Sequence, residues 1–250
     1  MSALVSIITP TFNSEKYLSE TIISIQNQSY TNWELLLVDD CSSDNSLKIA
    51  HQFARQDSRI SVFAFQENKG PAKARNFAIE KAKGNYLAFL DSDDIWFPNF
   101  ISNNIQTIEK HNVTFLCSSY KRANAQLEIF YSDFIVPQKV TYKDILKTNS
   151  IGCLTAFIAI DKVGKKFMPL LNKRQDMGLW LSYLKEIPFV YGIQEPQAIY
   201  RIRNESISSN KFTLIKYQWE IYRKIEKLTL INSIYYLICW MYFGYLKHKN

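Results

Sequence analysis

Four short apolar runs in the first hundred positions have the length and composition of β-strands. Each run is rich in β-branched or aromatic residues, and polar or turn-forming residues follow it at once. The runs occupy positions 4–9 (LVSIIT), 33–38 (WELLLV), 60–65 (ISVFAF) and 86–90 (YLAFL). This alternation of apolar runs and polar breaks predicts four strands in the first part of the chain.

The segments between these runs carry apolar residues at helical spacing. Ser14 and Asp44 are the predicted N-caps of two helices, and Pro71 suits the first turn of a third. The apolar faces of the first two helices are Leu18, Ile22 and Ile25, and Leu47, Ala50 and Phe53. Strand and helix alternate about every 30 residues, which is typical of βαβ units. The pattern predicts an α/β fold with a mostly parallel, Rossmann-like sheet flanked by helices on both faces.

Polar residues that directly follow the predicted strands are candidates for a binding site, because ligands bind beyond the carboxyl ends of the strands in such sheets. These residues lie at 9–13 (TPTFN), at Asp39 and Asp40, and at 91–94 (DSDD). Two strands would thus bring carboxylates to one edge, where the charges repel one another unless a cation lies between them. Aspartates at strand ends also start turns and cap helices, so both interpretations stay open.

The residues available for a metal site favour a hard cation. The chain has three histidines and four cysteines, none of them closely paired, so a zinc cage is not expected. An Asp-x-Asp turn that shares Mn2+ or Mg2+ with substrate phosphates fits the sequence better. Walker and G-x-G-x-x-G motifs do not occur in the sequence, which argues against kinases, P-loop enzymes and dinucleotide-binding enzymes.

Composition and net charge further limit the kind of protein and the partners that the sequence allows. Apolar residues make up 47% and charged residues 21% of the 250 positions, as in ordinary globular proteins. The net charge of +7 is compatible with nucleic acid, an anionic membrane or phosphate-bearing substrates. Because the basic residues are dispersed and no nucleic-acid module occurs, we expect no nucleic acid partner. Signal-peptide features and paired cysteines are missing from the sequence, which predicts a cytoplasmic, reduced protein.

The combination of motifs resembles the inverting glycosyltransferases of family 2, which have the GT-A fold, and within them the bacterial cell-surface polysaccharide type. The resemblance covers about the first 110 positions. Its motifs are 5–13 (VSIITPTFN), 24–28 (SIQNQ), 34–40 (ELLLVDD), 68–70 (NKG), 74–76 (ARN) and 89–94 (FLDSDD). Each fragment alone is common, whereas the whole series is specific.

The resemblance implies roles for individual residues of the first half. Residues expected to border the nucleoside are Pro10, Phe12, Asn13 and Asp40. Asp93 is the expected protein ligand of the metal, and Asp91 is a second candidate ligand. Asp91 and Arg75 would also face the donor sugar and its phosphates. The implied cofactor is Mn2+ or Mg2+, and the implied partner is a nucleotide-sugar donor.

Two segments of the second half also resemble the family. The segment 174–180 (RQDMGLW) contains Asp176, which the resemblance implies is the general base that takes a proton from a sugar hydroxyl. Trp180, one helical turn later, would offer an aromatic platform to a sugar ring. In 200–208 (YRIRNESIS), Arg201 and Ser206 are the implied diphosphate partners. Each of these interpretations has an alternative. Asp176 could be part of an ion pair, Trp180 could belong to the core, and 200–208 could be a basic strand followed by a solvated loop.

The C-terminal segment is apolar on all sides. Positions 229–246 contain no charged residue or histidine, and the apolar residues follow helical spacing. Trp and Tyr residues with flanking lysines suit a membrane interface, so we expect a peripheral helix on the inner face of the cytoplasmic membrane. The alternatives are a helix docked on the catalytic domain and a homodimer seam.

These inferences combine into one expected organisation. Positions 1–110 would form the nucleotide-sugar-binding half, 111–210 the acceptor-binding half with the base, and 211–250 a helical tail. The expected activity is metal-dependent, inverting transfer of a sugar, with UDP as the expected nucleotide, to a hydroxyl of a lipid-linked, lipopolysaccharide or capsule glycan. Alternatives are a polyprenyl-phosphate sugar synthase, whose ionised lipid phosphate needs no base, and an inactive nucleotide-sugar-binding scaffold. A glycoside hydrolase needs no nucleoside pocket and is disfavoured.

Overall fold

The computed structural model describes residues 2–202 and 211–249. Ser206, one of the two predicted diphosphate partners in the second half, lies outside the described residues.

The first half contains the four strands that the apolar runs predict. They are β1 (Val5–Thr11), β2 (Trp33–Asp39), β3 (Ile60–Ala64) and β4 (Tyr86–Phe89). All three pairings are parallel, and the order across the sheet is β3-β2-β1-β4. Their carboxyl ends therefore lie at one edge of the sheet, as the βαβ pattern predicts.

Three helices connect these strands: α1 (Leu18–Gln26), α2 (Ser46–Gln56) and α3 (Pro71–Lys81). Pro71 occupies the first turn of α3, as predicted. The N-cap of α2 is Asn45 and not the predicted Asp44, although Asp44 Oδ1 accepts from the N–H of Ser46, the first residue of α2 (2.9 Å). The predicted N-cap at Ser14 is wrong, because α1 begins at Leu18. The Ser14 hydroxyl forms a hydrogen bond with the Ser92 hydroxyl (2.7 Å) and does not cap the helix.

The strands that follow β4 in the chain widen the sheet. They are β5 (Ile95–Trp96), which still belongs to the first half, and, in the second half, β6 (Phe115–Ala123), β7 (Ile129–Phe134), β8 (Lys139–Val140), β9 (Phe157–Ala159) and β10 (Val190–Arg201). The order continues from β4 as β9-β6-β10-β5, with β7 beside β6 and β8 beside β10. β6 and β10 are parallel, whereas β9 runs antiparallel to both of its neighbours. The sheet is therefore mixed in this half, which the sequence pattern did not resolve.

The remaining helices cover the two faces of the sheet. They are α4 (Phe100–His111), α5 (Tyr142–Lys147), α6 (Ile160–Val163), α7 (Gln175–Leu184), α8 (Lys211–Glu220) and α9 (Leu230–Lys249). The core cluster on one face includes residues of α1 and α4, and the cluster on the other includes residues of α3, α5 and α7. Ile7 and Ile8 of β1 enter different clusters because successive strand side chains point to opposite faces.

Trp180 of α7 belongs to the core. Its side chain is 0% exposed, and its ring packs against those of Phe89 and Phe115, with centroid distances of 5.7 and 5.2 Å. The predicted role as a platform for a sugar ring is therefore wrong. Trp180 instead couples α7 to β4 and β6, and so fixes the helix that carries Asp176.

The C-terminal helix α9 is docked on one side and exposed on the other. Tyr236 and Leu237 pack against the core cluster that includes α5 and α7, whereas Ile234, Ile238 and Met241 are exposed. Docking on the domain is one of the expected alternatives, and it leaves an apolar outer face. Among residues 2–202 and 211–249, no helix combines the length and the hydropathy that crossing a bilayer requires.

Candidate active site

Three loops meet at the carboxyl edge of the parallel strands. The Asn13 N–H donates to Ser42 Oγ (3.0 Å), and Asn13 Oδ1 accepts from the Ser43 N–H (2.8 Å), which joins the loops after β1 and β2. The hydrogen bond between the hydroxyls of Ser14 and Ser92 (2.7 Å) joins the loop after β1 to the turn after β4. The structure thus brings together the three polar segments that the strand pattern singled out.

Asp40 organises the loop that precedes α3. Its buried carboxylate accepts from the backbone N–H groups of Lys69 (2.7 Å) and Gly70 (2.8 Å). Gly70 has a φ of 84°, a conformation that residues with a Cβ rarely adopt. Asp40 therefore fixes the position from which α3 begins, and with it the direction of Arg75.

Phe12 presents an aromatic ring at the same edge. Its side chain is 48% exposed, although a ring of this size is usually buried. Pro10 is half-buried near the end of β1, and Asn13 is exposed. Contacts of Pro10, Phe12, Asn13 and Asp40 with a nucleoside stay predictions.

The turn after β4 is anchored from the second half of the chain. Asp94 is buried and accepts from the Arg201 N–H (2.9 Å). The Arg201 guanidinium donates to the carbonyl oxygens of Asp93 (2.8 Å) and Ala125 (2.7 Å) and forms an ion pair with Glu20. Arg201 is thus a buried support for this turn. The structure differs here from the predicted contact with donor phosphates, because protein groups engage the guanidinium on every nitrogen.

Arg75 links the two halves of the site. The guanidinium is buried and forms an ion pair with Asp91. Burial by itself lowers the pKa of Arg75, but the charge and hydrogen bond of Asp91, with a smaller contribution from the charge of Asp176, outweigh it, so the net effect is a raised pKa. Arg75 therefore stays charged and holds Asp91 beside the site.

Asp176 and Asp91 line one cleft of about 510 Å³. Asp176 lies in the first turn of α7, and its Oδ2 accepts from the Asn149 side-chain amide (3.1 Å). Arg75 lines the same cleft. The structure therefore brings the predicted base together with two residues predicted to face the donor. Asp40 and Asp93 do not line this cleft and lie in the neighbouring loops of the same edge.

Two residues of the cleft were missed by sequence reasoning. Asn149 contacts Asp176, although it belongs to a loop with no recognisable motif. Cys153 lies near Arg75, Asp91 and Asp176, but burial raises the pKa of its thiol well above the usual value, so the thiol stays protonated and is a poor nucleophile. Only their position in space could have identified either residue.

The turn after β4 suits a hard divalent cation that the substrate helps to bind. Asp91 and Asp93 are half-buried and offer oxygen ligands. In the described part of the chain, no three His, Cys, Asp or Glu side chains cluster into a complete metal site. Mn2+ or Mg2+ on a nucleotide substrate needs only one or two protein carboxylates, because phosphate oxygens and water supply the rest. The donor set at this turn therefore fits such a cation.

Comparison with known proteins assigns the class. The model of the glycosyl transferase family 2 matches residues 6–163, and the chain therefore belongs to this family. It is 39% identical over 253 residues to the UDP-Glc:α-D-GlcNAc-diphosphoundecaprenol β-1,3-glucosyltransferase WfgD of Escherichia coli, an alignment that covers 98% of this chain and 95% of WfgD. The chain is accordingly a glycosyltransferase.

Two solved structures share the fold. The crystal structure of residues 1–349 of S. aureus TarS in complex with UDP-GlcNAc has a TM-score of 0.72 at 21% identity and matches 95% of this chain and 71% of that one. The mannosyltransferase PcManGT from Pyrobaculum calidifontis, in complex with GDP-Man and Mn2+, has a TM-score of 0.68 at 16% identity. The match covers 93% of this chain and 69% of PcManGT. The predicted GT-A fold is confirmed.

Proposed function

We propose that this chain is a metal-dependent, inverting glycosyltransferase that moves a sugar from a UDP-linked donor to a hydroxyl of a lipid-linked glycan, on the inner face of the cytoplasmic membrane. One observation carries the proposal. Asp176 from the second half and Asp91 from the first half line one cleft, with the charged Arg75 beside them. A base and a donor-binding carboxylate can therefore act on the same pair of substrates.

The loops after β1 and β2 would hold the nucleoside. The exposed ring of Phe12 is available to stack on a flat base, and Asp40 fixes the adjoining loop. WfgD, which resembles this chain over nearly its whole length, uses UDP-Glc according to its name. A UDP-linked donor is therefore the first candidate.

Asp93, with Asp91, would hold Mn2+ or Mg2+ together with the donor phosphates. The cation would neutralise the negative charge that grows on the departing nucleoside diphosphate. Arg201 keeps the turn in place through the Asp93 carbonyl oxygen (2.8 Å) and the Asp94 carboxylate (2.9 Å). PcManGT, which has a similar fold, was solved with GDP-Man and Mn2+, and this supports a divalent cation as the cofactor.

Asp176 would act as the general base. A sugar hydroxyl is a poor nucleophile, and a carboxylate within hydrogen-bond reach assists it by accepting its proton. The acceptor oxygen then attacks the anomeric carbon from the side opposite the diphosphate. The new carbon–oxygen bond forms as the bond to the diphosphate breaks, so the configuration inverts. Asn149 orients the Asp176 carboxylate for this step.

The acceptor would be a glycan on a lipid carrier. The name of WfgD specifies a diphosphoundecaprenol-linked acceptor. The exposed apolar face of α9 and the exposed Lys224 and Lys227 that precede this helix suit contact with the membrane in which such a carrier resides. A polyprenyl-phosphate sugar synthase would not require a base, so the position of Asp176 in the cleft favours transfer to a hydroxyl.

The test is transfer with purified protein, UDP-glucose, GlcNAc-diphosphoundecaprenol and Mn2+. We expect a product heavier by one hexose and release of UDP.

Asp93→Ala should lower this activity by at least about a hundredfold, because the charge on the leaving diphosphate is then poorly neutralised. Chelation should do the same to the wild-type protein. Asp161→Ala, at an exposed position on α6, is the control and should leave activity unchanged. Full activity of Asp93→Ala in Mn2+ would rule out the metal assignment.

Asn149→Ala should lower kcat about tenfold, because a misplaced general base loses part of the effect expected of general base catalysis. The KM for the donor should stay the same, since the side-chain amide of Asn149 donates to the base, Asp176. Steady-state kinetics at saturating acceptor measure both constants, and Asn103→Ala, exposed on α4, is the matched control. A rise in donor KM with unchanged kcat would contradict the orienting role.

A further inference from the structure

A second groove of about 500 Å³ adjoins the catalytic cleft. Phe134 and Ser150 line both spaces, so the groove and the cleft are neighbours along a shared wall. Among the residues that the structure describes, none of those predicted to bind donor or metal lines the groove. It is therefore a separate surface that begins where the cleft ends.

One side of the groove is apolar and leads to α9. Ile135 is 53% exposed, and Phe243 of α9 contributes a half-buried ring. Tyr242 and Met241, next to Phe243 on α9, are exposed. The apolar wall therefore continues onto the outer face of the C-terminal helix.

The groove also carries positive charge. Lys139 and Lys147 line it, and neither forms an ion pair with any residue in 2–202 or 211–249. The Asp144 carboxylate, which also lines the groove, accepts hydrogen bonds from the Thr141 N–H (3.0 Å) and hydroxyl (2.6 Å). The Lys139 ammonium lies 4.9 Å from the centroid of the Phe189 ring, a contact that leaves its charge uncompensated by a carboxylate. The groove thus has two lysines and a single carboxylate, Asp144, which is already engaged in a capping box, so an anion would be favoured here.

Residues 147–149 connect the groove to the cleft that contains the proposed base, Asp176. Lys147 lies in the groove, and Asn149, which contacts Asp176, lies in the cleft. Two residues of extended chain span at most about 7 Å, so these positions are close in space. A ligand with an anionic group one sugar ring away from its reacting hydroxyl would fit both sites at once.

We propose that this groove binds the diphosphate and the first isoprenoid units of the lipid-linked acceptor. The order of groups in such a molecule is sugar, diphosphate and apolar chain. The order of surfaces in the protein is the Asp176 cleft, the lysines 139 and 147, and the apolar wall that continues onto α9. The inference rests on the proposed function for the identity of the acceptor, and it adds the site that distinguishes a lipid-linked glycan from a free one.

The kinetic test uses the double variant Lys139→Ala/Lys147→Ala. We expect the KM for GlcNAc-diphosphoundecaprenol to rise by about tenfold or more, because charge-assisted contacts to phosphate are lost. Transfer to a soluble phenyl glycoside of GlcNAc, which has no diphosphate, should be unchanged. Lys143→Ala is the matched control, since this lysine is exposed on α5 but does not line the groove. Equal effects on both acceptors, or an equal effect of Lys143→Ala, would overturn the proposal.

A binding measurement separates this proposal from the proposed function. Calorimetric titration with farnesyl diphosphate, in saturating UDP and Mn2+ so that the donor site is filled, should show binding that the double variant weakens about tenfold. Farnesol and pyrophosphate should each bind more weakly.

Loss of binding when UDP is added would place the probe in the donor site, and unchanged binding by the variant would also overturn the proposal. If the variant instead lost only its binding to phosphatidylglycerol vesicles, the groove would be a membrane-headgroup site. Failure of transfer with intact probe binding would count against the proposed function alone.

Discussion

Asp176→Asn is expected to lower sugar transfer by about 10²- to 10⁴-fold, the range that general base catalysis contributes. The amide cannot accept the acceptor proton, yet its oxygen can still accept the hydrogen bond that Asn149 donates (3.1 Å in the native protein). The fold and the cleft should therefore be preserved. The measurement is the initial rate of UDP release in the presence of the glycan acceptor.

Donor binding provides the control for this variant. UDP with Mn2+ should stabilise Asp176→Asn against heat as much as it stabilises the wild-type protein, because the donor side of the site is unchanged. Asp161→Asn, at an exposed carboxylate outside the cleft, should keep full activity. If Asp176→Asn retained most of its transfer, the polyprenyl-phosphate sugar synthase would become the better description. If it lost UDP binding, Asp176 would belong to the donor site.

Trp180→Ala should lower the free energy of unfolding by about 3 to 5 kcal/mol, the usual loss for a fully buried aromatic residue. The indole is 0% exposed and packs against the rings of Phe89 and Phe115, so its removal leaves a cavity between α7 and the sheet. Urea unfolding followed by circular dichroism gives the difference. Activity at low temperature should fall as well, because α7 carries Asp176.

Trp219→Ala is the matched control for the core position. Trp219 is half-buried on α8, and its removal should destabilise the protein less than that of Trp180. Should Trp180→Ala be too unstable to purify, Trp180→Phe retains most of the packing and should give a smaller loss. A Trp180→Ala protein as stable as the wild type, with only its acceptor KM raised, would restore the sugar platform that the sequence suggested.

The first half of the site follows closely from the sequence. Asp40, Asp91 and Asp93 lie within three residues of the end of an apolar run, and parallel strands bring such positions to one edge of the sheet. The strand bounds agree within two residues with the apolar runs. Local periodicity and connection lengths are therefore enough to predict this part of the fold, because they depend on neighbours in the chain.

The second half of the site is harder to predict from the sequence, because its contacts join segments that are distant in the chain. Arg201 was expected to face phosphates, but it supports the Asp93 carbonyl oxygen and pairs with Glu20. An arginine looks the same in sequence whether its partner is substrate or protein. The mixed pairing of β9 and the contact between Asn149 and Asp176 likewise have no local signature.

The sequence by itself determined the parallel strands of the first half, the acidic edge and the family, because these depend on short patterns whose meaning is set by backbone geometry. Only the tertiary structure decided that Trp180 is core, that Arg201 is a support, and that Asp176 shares a cleft with Asp91. The physical reason is burial. Whether a side chain faces substrate, solvent or another side chain depends on which distant segments pack around it, and the pattern along the chain does not contain that information.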